Sequence, residues 1–390
     1  MSPLSNAFLT DKNLHSMEAF FPLETFVCPQ CWLVQLDAFE TPENIFSDYV
    51  YFSSYSPSWL KHAETYAQKM KSEWKLGENS LVVEVASNDG YLLQYFAKQQ
   101  VPVLGIEPAA NVAEVARQER GIPTIAEFFG VQLGKRLAQE GKMADLTAAN
   151  NVLAHVPDVN DFVGGFKQIL KPQGISTFEF PHLLRLFEQV QFDTIYHEHF
   201  SYYSLLALQP IFKRSGLEIF DVEELATHGG SLRILVKHIE NQALKISDRV
   251  DQLVQKEKQA GFGDPLIYQQ FNKKVMKVKR DFLRFLISAR EEGKKICAYG
   301  AAAKGNTLLN YCGVRHDFID FVSDKNRVKQ GRYLPGTHIP VKDVEALRQA
   351  RPDYVVILPW NLRQEIQLEL EFIRSWGGRF VVAIPELEVF

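Results

Sequence analysis

Short apolar runs of strand composition alternate with stretches of helical periodicity along this chain, and that alternation restricts it to βαβ units built on parallel strands. SLVVEVA passes through the turn SNDG into the helical YLLQYFAKQ, and VPVLGIEP passes into the helix AANVAEVARQERG. MADLTAANNV then precedes DVNDFVGGFKQILKPQG, read as helix throughout, and ISTFEFP reads as a further strand. The order changes after the helix SLLALQPIFKRSG. LEIFDVEEL and GSLRILVKH are two strands joined by ATHGG with no helix between them. Such a pair is expected to close the sheet as an antiparallel hairpin.

A second alternating series follows: KKICAYG, HDFIDFVSD, PDYVVILP and GRFVVAIP as strands, with NTLLNYC and NLRQEIQLELEFIRSWG as helices. Residues 241–292 are charged at helical spacing, are interrupted only at GFGDP, and read as a connector. The chain thus divides into a small module (1–50), a first α/β domain (51–240), the connector (241–292) and a second Rossmann-like α/β domain (293–390). At 390 residues it is long enough for more than one core, given about 100–200 residues per domain.

Charge limits the partners. With 43 basic against 47 acidic residues and a net charge of -4, no bulk positive field exists to hold a nucleic acid. No apolar run reaches the roughly 18 residues of a membrane span, and no secretory signal pattern opens the chain. Four cysteines in so long a chain do not make a disulfide framework and fit a reducing, cytoplasmic location. Cys297 and Cys312 lie in apolar surroundings and read as packing residues; Cys28 and Cys31 share the turn of a hairpin in FVCPQCWLVQL.

The first domain's strand ends carry acids. Glu84 closes one strand ahead of Asn88, Asp89 and Gly90, a turn that lets backbone approach a ligand and aims a helix N-terminus at it. Glu107 closes the next, where a carboxylate can accept from both hydroxyls of a ribose. The competing ligands are NAD and S-adenosylmethionine. No G-x-G-x-x-G is present, and Asp89 would repel a pyrophosphate but suits the cationic amino acid end of S-adenosylmethionine. The reversed last strand also resembles that of class I methyltransferases. An ordinary βα turn with a surface acid is the plainer alternative.

TIYHEHFSYYS (194–204) packs three tyrosines, two histidines and a glutamate into eleven residues. His197, Glu198 and His199 lack the H-E-x-x-H spacing that sets two imidazoles on one helical face for zinc. General base chemistry suits them better, because a neutral imidazole can take a proton near physiological pH while a neighbouring carboxyl or phenol orients it. His155, in NNVLAHVPD, follows a strand expected to border the cofactor. A loop of hydrogen-bonded polar residues would account for the same text without function.

Taken together, PLSNAFL, FPLETFVCPQCWLVQL, FSDYVYFSSYS, VVEVASNDGYLL, GIEPAANVA, NVLAHVPD, YHEHFSYYS, GGSLRILV and AYGAAAKGNTLLN resemble the zinc-containing sugar C-methyltransferases of deoxysugar pathways, over nearly the whole chain. The resemblance implies an N-terminal zinc module, a class I methyltransferase domain and a C-terminal Rossmann-like domain. It implies S-adenosylmethionine as cofactor and a nucleotide-linked keto-sugar as substrate, methylated at a ring carbon. The family's active-site pattern falls on His155, Tyr196, Glu198 and His199, with His199 as base. Tyr51 and Asn150 join Glu84, Asn88, Asp89, Gly90 and Glu107 in the expected cofactor set, and Gly300, Lys304 and Asn306 are expected at the sugar nucleotide. An O- or N-methyltransferase on the same scaffold, or a NAD-dependent or non-catalytic Rossmann protein, are the alternatives. A monomer is expected.

The zinc module departs from the family pattern. Structural zinc takes four ligands, and only Cys28 and Cys31 are present where the family's first cysteine pair would precede PLSNAFL. Either the start is truncated or this member has lost the metal, so a hairpin turn with two free thiols is the expectation.

Overall fold

A computed structural model describes residues 1–41 and 53–390 of the chain. They fall into two compact units, neither continuous in sequence: Val27–Leu183 with Phe200–Gly263, and Met1–Phe26 with Leu184–His199 and Asp264–Phe390.

The first unit is organised by a seven-stranded sheet. Its strands are β1 (Val82–Val85), β2 (Val103–Ile106), β3 (Thr124–Ile125), β4 (Ala144–Asn150), β5 (Leu170–Pro181), β6 (Leu217–Leu225) and β7 (Ser231–His238). They lie in the order β3-β2-β1-β4-β5-β7-β6. β1 to β5 run parallel, and β7 is antiparallel to both β5 and β6, with Ile234 facing Phe178 on one side and Val222 on the other. The strand order reverses between β1 and β4, which opens a crevice at the carboxyl ends of these strands. β1 is buried at all four positions, as a parallel strand covered on both faces must be, and so Glu84 is carried into the interior.

The expected hairpin is present, with a register shift between Leu235 and Val236. DVNDFVGGFKQILKPQG divides differently from its reading as helix. The helix spans Val159–Ile169 and β5 begins at Leu170, because Pro172 has no N–H to give a helix and holds Lys171 extended. β3 has only two residues, too few for a periodic signal.

Glu257, on the helix Asp248–Gln259, is fully buried. One carboxylate oxygen accepts from His182 Nε2 and Leu205 N–H, both at 2.7 Å, and the other from Leu206 N–H at 2.9 Å. It thereby satisfies two donors at the start of the helix Leu205–Arg214, which would otherwise be buried orphans.

The second unit carries a six-stranded sheet: β8 (Ile296–Tyr299), β9 (Val322–Ser323), β10 (Val341–Lys342), β11 (Tyr354–Ile357), β12 (Arg379–Val382) and β13 (Glu388–Val389). The order is β10-β9-β8-β11-β12-β13, parallel except for the last strand. Val190 and Phe192 belong to this unit's core with Phe282, Leu286, Val356 and Phe380. Their burial ties the segment 184–199 to this sheet. The connector is two helices, Asp248–Gln259 and Pro265–Glu291. The chain breaks at Gly261, in the left-handed region, and restarts with Asp264 capping Leu266 N–H. Among the described residues, no helix is long and apolar enough to cross a membrane.

Candidate active site

In the first unit, the turn after β1 passes through left-handed conformations at Ala86, Asn88 and Gly90. A Cβ on Gly90 would come within 3.0 Å of Ile122, so this glycine serves both the turn and the packing beneath it. The turn's backbone reaches the end of β2. Glu107 accepts from Asn88 N–H and from Ala109 N–H, each at 2.9 Å. Burial still raises its carboxyl to about 6, against the lowering effect of those two bonds.

Glu84 has no solvent exposure, and neither oxygen has a hydrogen bond of good geometry, although the Tyr91 hydroxyl lies alongside. Burial pushes its pKa well above the usual carboxylate range, and the charges of Asp89 and Glu107 push it further. Asp89 is not a lone charge. Its Oδ2 meets Arg120 at 3.3 Å and accepts from Ser54 at 2.5 Å, while its Oδ1 is buried without a partner. Asn88 Oδ1 accepts from Ser53 N–H at 2.8 Å. Asn150, at the end of β4, reaches the Tyr91 hydroxyl at 3.4 Å and keeps an unpartnered buried Oδ1. His155 sits on the short turn Leu153–His155, which Tyr203 anchors by donating its hydroxyl to Leu153 O. Tyr51 lies outside the described residues.

These groups fit S-adenosylmethionine. Unpartnered acceptors on Glu84, Asp89 and Asn150 converge at the ends of β1 and β4, and the cofactor's ammonium and ribose diol are donors. Sequence reasoning missed the surroundings of this site. Trp59 stacks on His62 at 4.9 Å and tilts against Tyr91 and His228. Behind them Glu179 is bound by Arg233, His62 and Thr227. Trp59 and His62 stand on the helix Pro57–Glu73 and Glu179 within an apolar strand, positions whose spacing along the chain signals no site.

The tyrosine and histidine cluster is divided at His199: Tyr196, His197, Glu198 and His199 belong to the second unit, and Tyr202 and Tyr203 to the first. His199 Nδ1 lies 2.8 Å from the Thr194 carbonyl. A carbonyl only accepts, so Nδ1 carries the hydrogen and Nε2 of the neutral ring keeps its lone pair. Tyr196 packs on the same imidazole, with ring centroids 4.1 Å apart. Glu198 is only 5% exposed and accepts from Asn6 Nδ2 at 2.6 Å. Burial raises its carboxyl to about 7, partly opposed by Asn6 and by the Lys329 charge. His197 turns to the N-terminal segment, donating from Nε2 to Pro22 O at 2.9 Å and meeting Phe21 edge-on. Burial lowers its pKa.

The same unit contains the residues expected at the sugar nucleotide. Gly300 has φ +89°, and a Cβ there would lie 2.5 Å from Pro359 Cδ, so only glycine makes this turn. Lys304 donates to Asn361 Oδ1 at 2.7 Å and lies over the Trp360 ring at 4.7 Å. Trp360 in turn donates to Asp193 at 2.8 Å. Asn306 is 1% exposed; its Oδ1 accepts from Asn310 at 3.2 Å, and its Nδ2 is unpartnered. The structure therefore gathers Tyr196, Glu198 and His199 with Gly300, Lys304 and Asn306 in one unit, and the cofactor set with His155 in the other.

Cys28 and Cys31 are half-buried free thiols. The N–H groups of Cys31 and Gln30 hold the Cys28 thiol below its ordinary pKa, while burial raises that of Cys31. Among the described residues no three histidine, cysteine or acidic groups converge as a metal set. Two thiols are half of a tetrahedral zinc site, so these residues alone do not fit the metal.

Three family models match the chain: "Putative zinc binding domain" over residues 1–46, "Methyltransferase domain" over 59–222 and "C-methyltransferase C-terminal domain" over 226–385. The C-methyltransferase NovU of Streptomyces niveus is 34% identical over 389 residues, 100% of this chain and 92% of the relative. The chain belongs to the zinc-binding-domain C-methyltransferase family. This C-methyltransferase is an S-adenosylmethionine-dependent enzyme, and its seven-stranded sheet is the class I methyltransferase fold. A ubiquinone biosynthesis O-methyltransferase of Bartonella tribocorum is 26% identical over 98 residues, 25% of this chain and 40% of that protein. Magnesium protoporphyrin IX methyltransferase from Synechocystis PCC 6803 aligns over 45% of this chain and 78% of that one, with 13% identity and a TM-score of 0.35.

Proposed function

We propose that this enzyme methylates a ring carbon beside the ketone of a nucleotide-linked keto-deoxysugar, with His199 as the general base. The observation that carries the reading is the His199 tautomer. The Thr194 carbonyl holds the Nδ1 hydrogen at 2.8 Å, leaving Nε2 as the nitrogen able to take a proton. A carbon is not nucleophilic until a C–H next to a carbonyl is removed, and a base with a fixed lone pair is what that step needs. Tyr196, packed on the ring, orients it. Glu198, with its carboxyl near 7, supplies a protonated oxygen that can donate to the developing enolate. His155 is assigned to the same chemistry by the family resemblance.

S-adenosylmethionine supplies the electrophilic methyl group. Glu107 accepts from the ribose hydroxyls; Glu84, Asp89 and Asn150 accept from the amino acid end and the adjoining hydroxyls. Gly300, Asn306 and Lys304 serve the sugar nucleotide: the turn brings uncapped N–H groups at the start of the helix Ala303–Cys312, and Asn306 and Lys304 add donors. The keto-sugar substrate is supported by the motifs quoted from the sequence.

The test is incubation with methyl-labelled S-adenosylmethionine and a panel of nucleoside-diphosphate keto-deoxysugars, read by mass spectrometry and NMR. A product carrying the label on a ring carbon next to the former ketone is expected. Label on oxygen or nitrogen, or none with any member of the panel, would overturn the reading.

A further inference from the structure

PLSNAFL, near the start of the chain, has no part in the chemistry derived so far, yet the structure places it against the catalytic segment. Ser5 lies 3.4 Å from the Thr307 hydroxyl, Phe8 lies under the Lys329 ammonium at 5.4 Å, and Leu9 bridges to Tyr333. Between Ser5 and Phe8, Asn6 donates from Nδ2 to Glu198 Oε1 at 2.6 Å. These contacts all lie within the second unit.

We infer that Asn6 is a positioning residue of the active site: it fixes which oxygen of Glu198 holds the proton and so aims that carboxyl as a donor. The inference rests on the role given to Glu198 above. An oxygen that accepts an amide N–H at 2.6 Å cannot direct a hydrogen of its own along the same line. The carboxyl proton is therefore favoured on Oε2, because the carbonyl oxygen of a protonated carboxyl is the stronger acceptor.

Charge acts in the same place. Lys329 is a charged group that acts on Glu198; it donates to Ala301 O at 2.7 Å, with Asp324 as another electrostatic partner. The flanking titratable groups on the same segment are Tyr196, His197 and His199. Burial raises the Glu198 carboxyl, whereas Asn6 and Lys329 lower it, leaving it at about 7. Deleting the Asn6 donor must raise it further. Placing a carboxyl there must raise it more, since like charges disfavour ionisation. Asn6 is itself exposed, so its replacement leaves the core untouched.

The experiment follows Glu198 directly in the full-length protein labelled with [δ-13C]glutamate, identifying its resonance by its loss in Glu198→Gln. Titration between pH 5 and 9 should give apparent pKa values that rise from wild type to Asn6→Ala, by on the order of one unit, and again to Asn6→Asp. With the keto-sugar panel, the alkaline limb of kcat should move up in the same order, because the protonated acid is the active form. kcat for Asn6→Ala should fall roughly tenfold with KM little changed. A merely structural asparagine would lower activity without moving either titration. Identical titrations in wild type and Asn6→Ala would overturn the inference about Asn6 and leave the role of Glu198 standing. Wild-type activity and pH profile in Glu198→Gln would instead overturn the role of Glu198, and the inference with it.

Discussion

Replacing His199 with asparagine deletes one half of the imidazole and keeps the other. The asparagine Nδ2 falls where His199 Nδ1 now lies, so it can still donate to the Thr194 carbonyl held at 2.8 Å. The substitution therefore preserves the local backbone and removes only the Nε2 lone pair. The loss expected for a general base is ~10²–10⁴-fold in kcat, equivalent to about 2.7–5.5 kcal/mol of barrier. Affinity for S-adenosylmethionine, measured by calorimetry, should stay at the wild-type value, because the groups assigned to the cofactor lie in the other compact unit. Proton removal can be isolated by following solvent-deuterium exchange at the carbon beside the substrate ketone with no methyl donor present. Exchange and methylation should fall together. Wild-type exchange in His199→Asn would exclude His199 as the base and pass the role to Tyr196 or His155.

Three further outcomes are expected. Glu107→Ala should weaken S-adenosylmethionine binding by roughly 10²–10⁴-fold, since two hydroxyl bonds to a charged acceptor contribute about 1.5–3 kcal/mol each; calorimetry at unchanged affinity would refute the assignment. With ionised Glu107 as the proposed acceptor and its carboxyl at about 6, wild-type affinity should fall as the pH drops through that value. Elemental analysis of the purified chain should find less than one zinc per molecule, and EDTA should leave the thermal midpoint unchanged; a stoichiometric metal whose removal lowers the midpoint would show that ligands beyond Cys28 and Cys31 exist.

The sequence by itself determined the layering of both sheets, because strand and helix periodicity is local and each run carries its own signal. LEIFDVEEL and GSLRILVKH, lacking a helix between them, already specified the antiparallel end of the first sheet, as β6 and β7. Glu84 and Glu107 were legible as acids at the ends of apolar strands, and the structure buries both there. Where a boundary went wrong, at Leu170, the apolar pattern of the helix ran on into the strand without a break.

Only the tertiary structure decided which unit the segment proposed to be catalytic joins. TIYHEHFSYYS lies between β5 and β6 of the first sheet in the chain, yet its first half is held by the core of the second through Val190 and Phe192. Asn6 and Glu198 meet across 192 positions, and His182, Glu257 and Leu205 meet in the same manner within the first unit. Such bonds depend on two distant segments arriving together, and they leave no period or spacing in either one. A buried carboxyl's partner is set by the packing that excludes water around it, which the order of residues along the chain does not express.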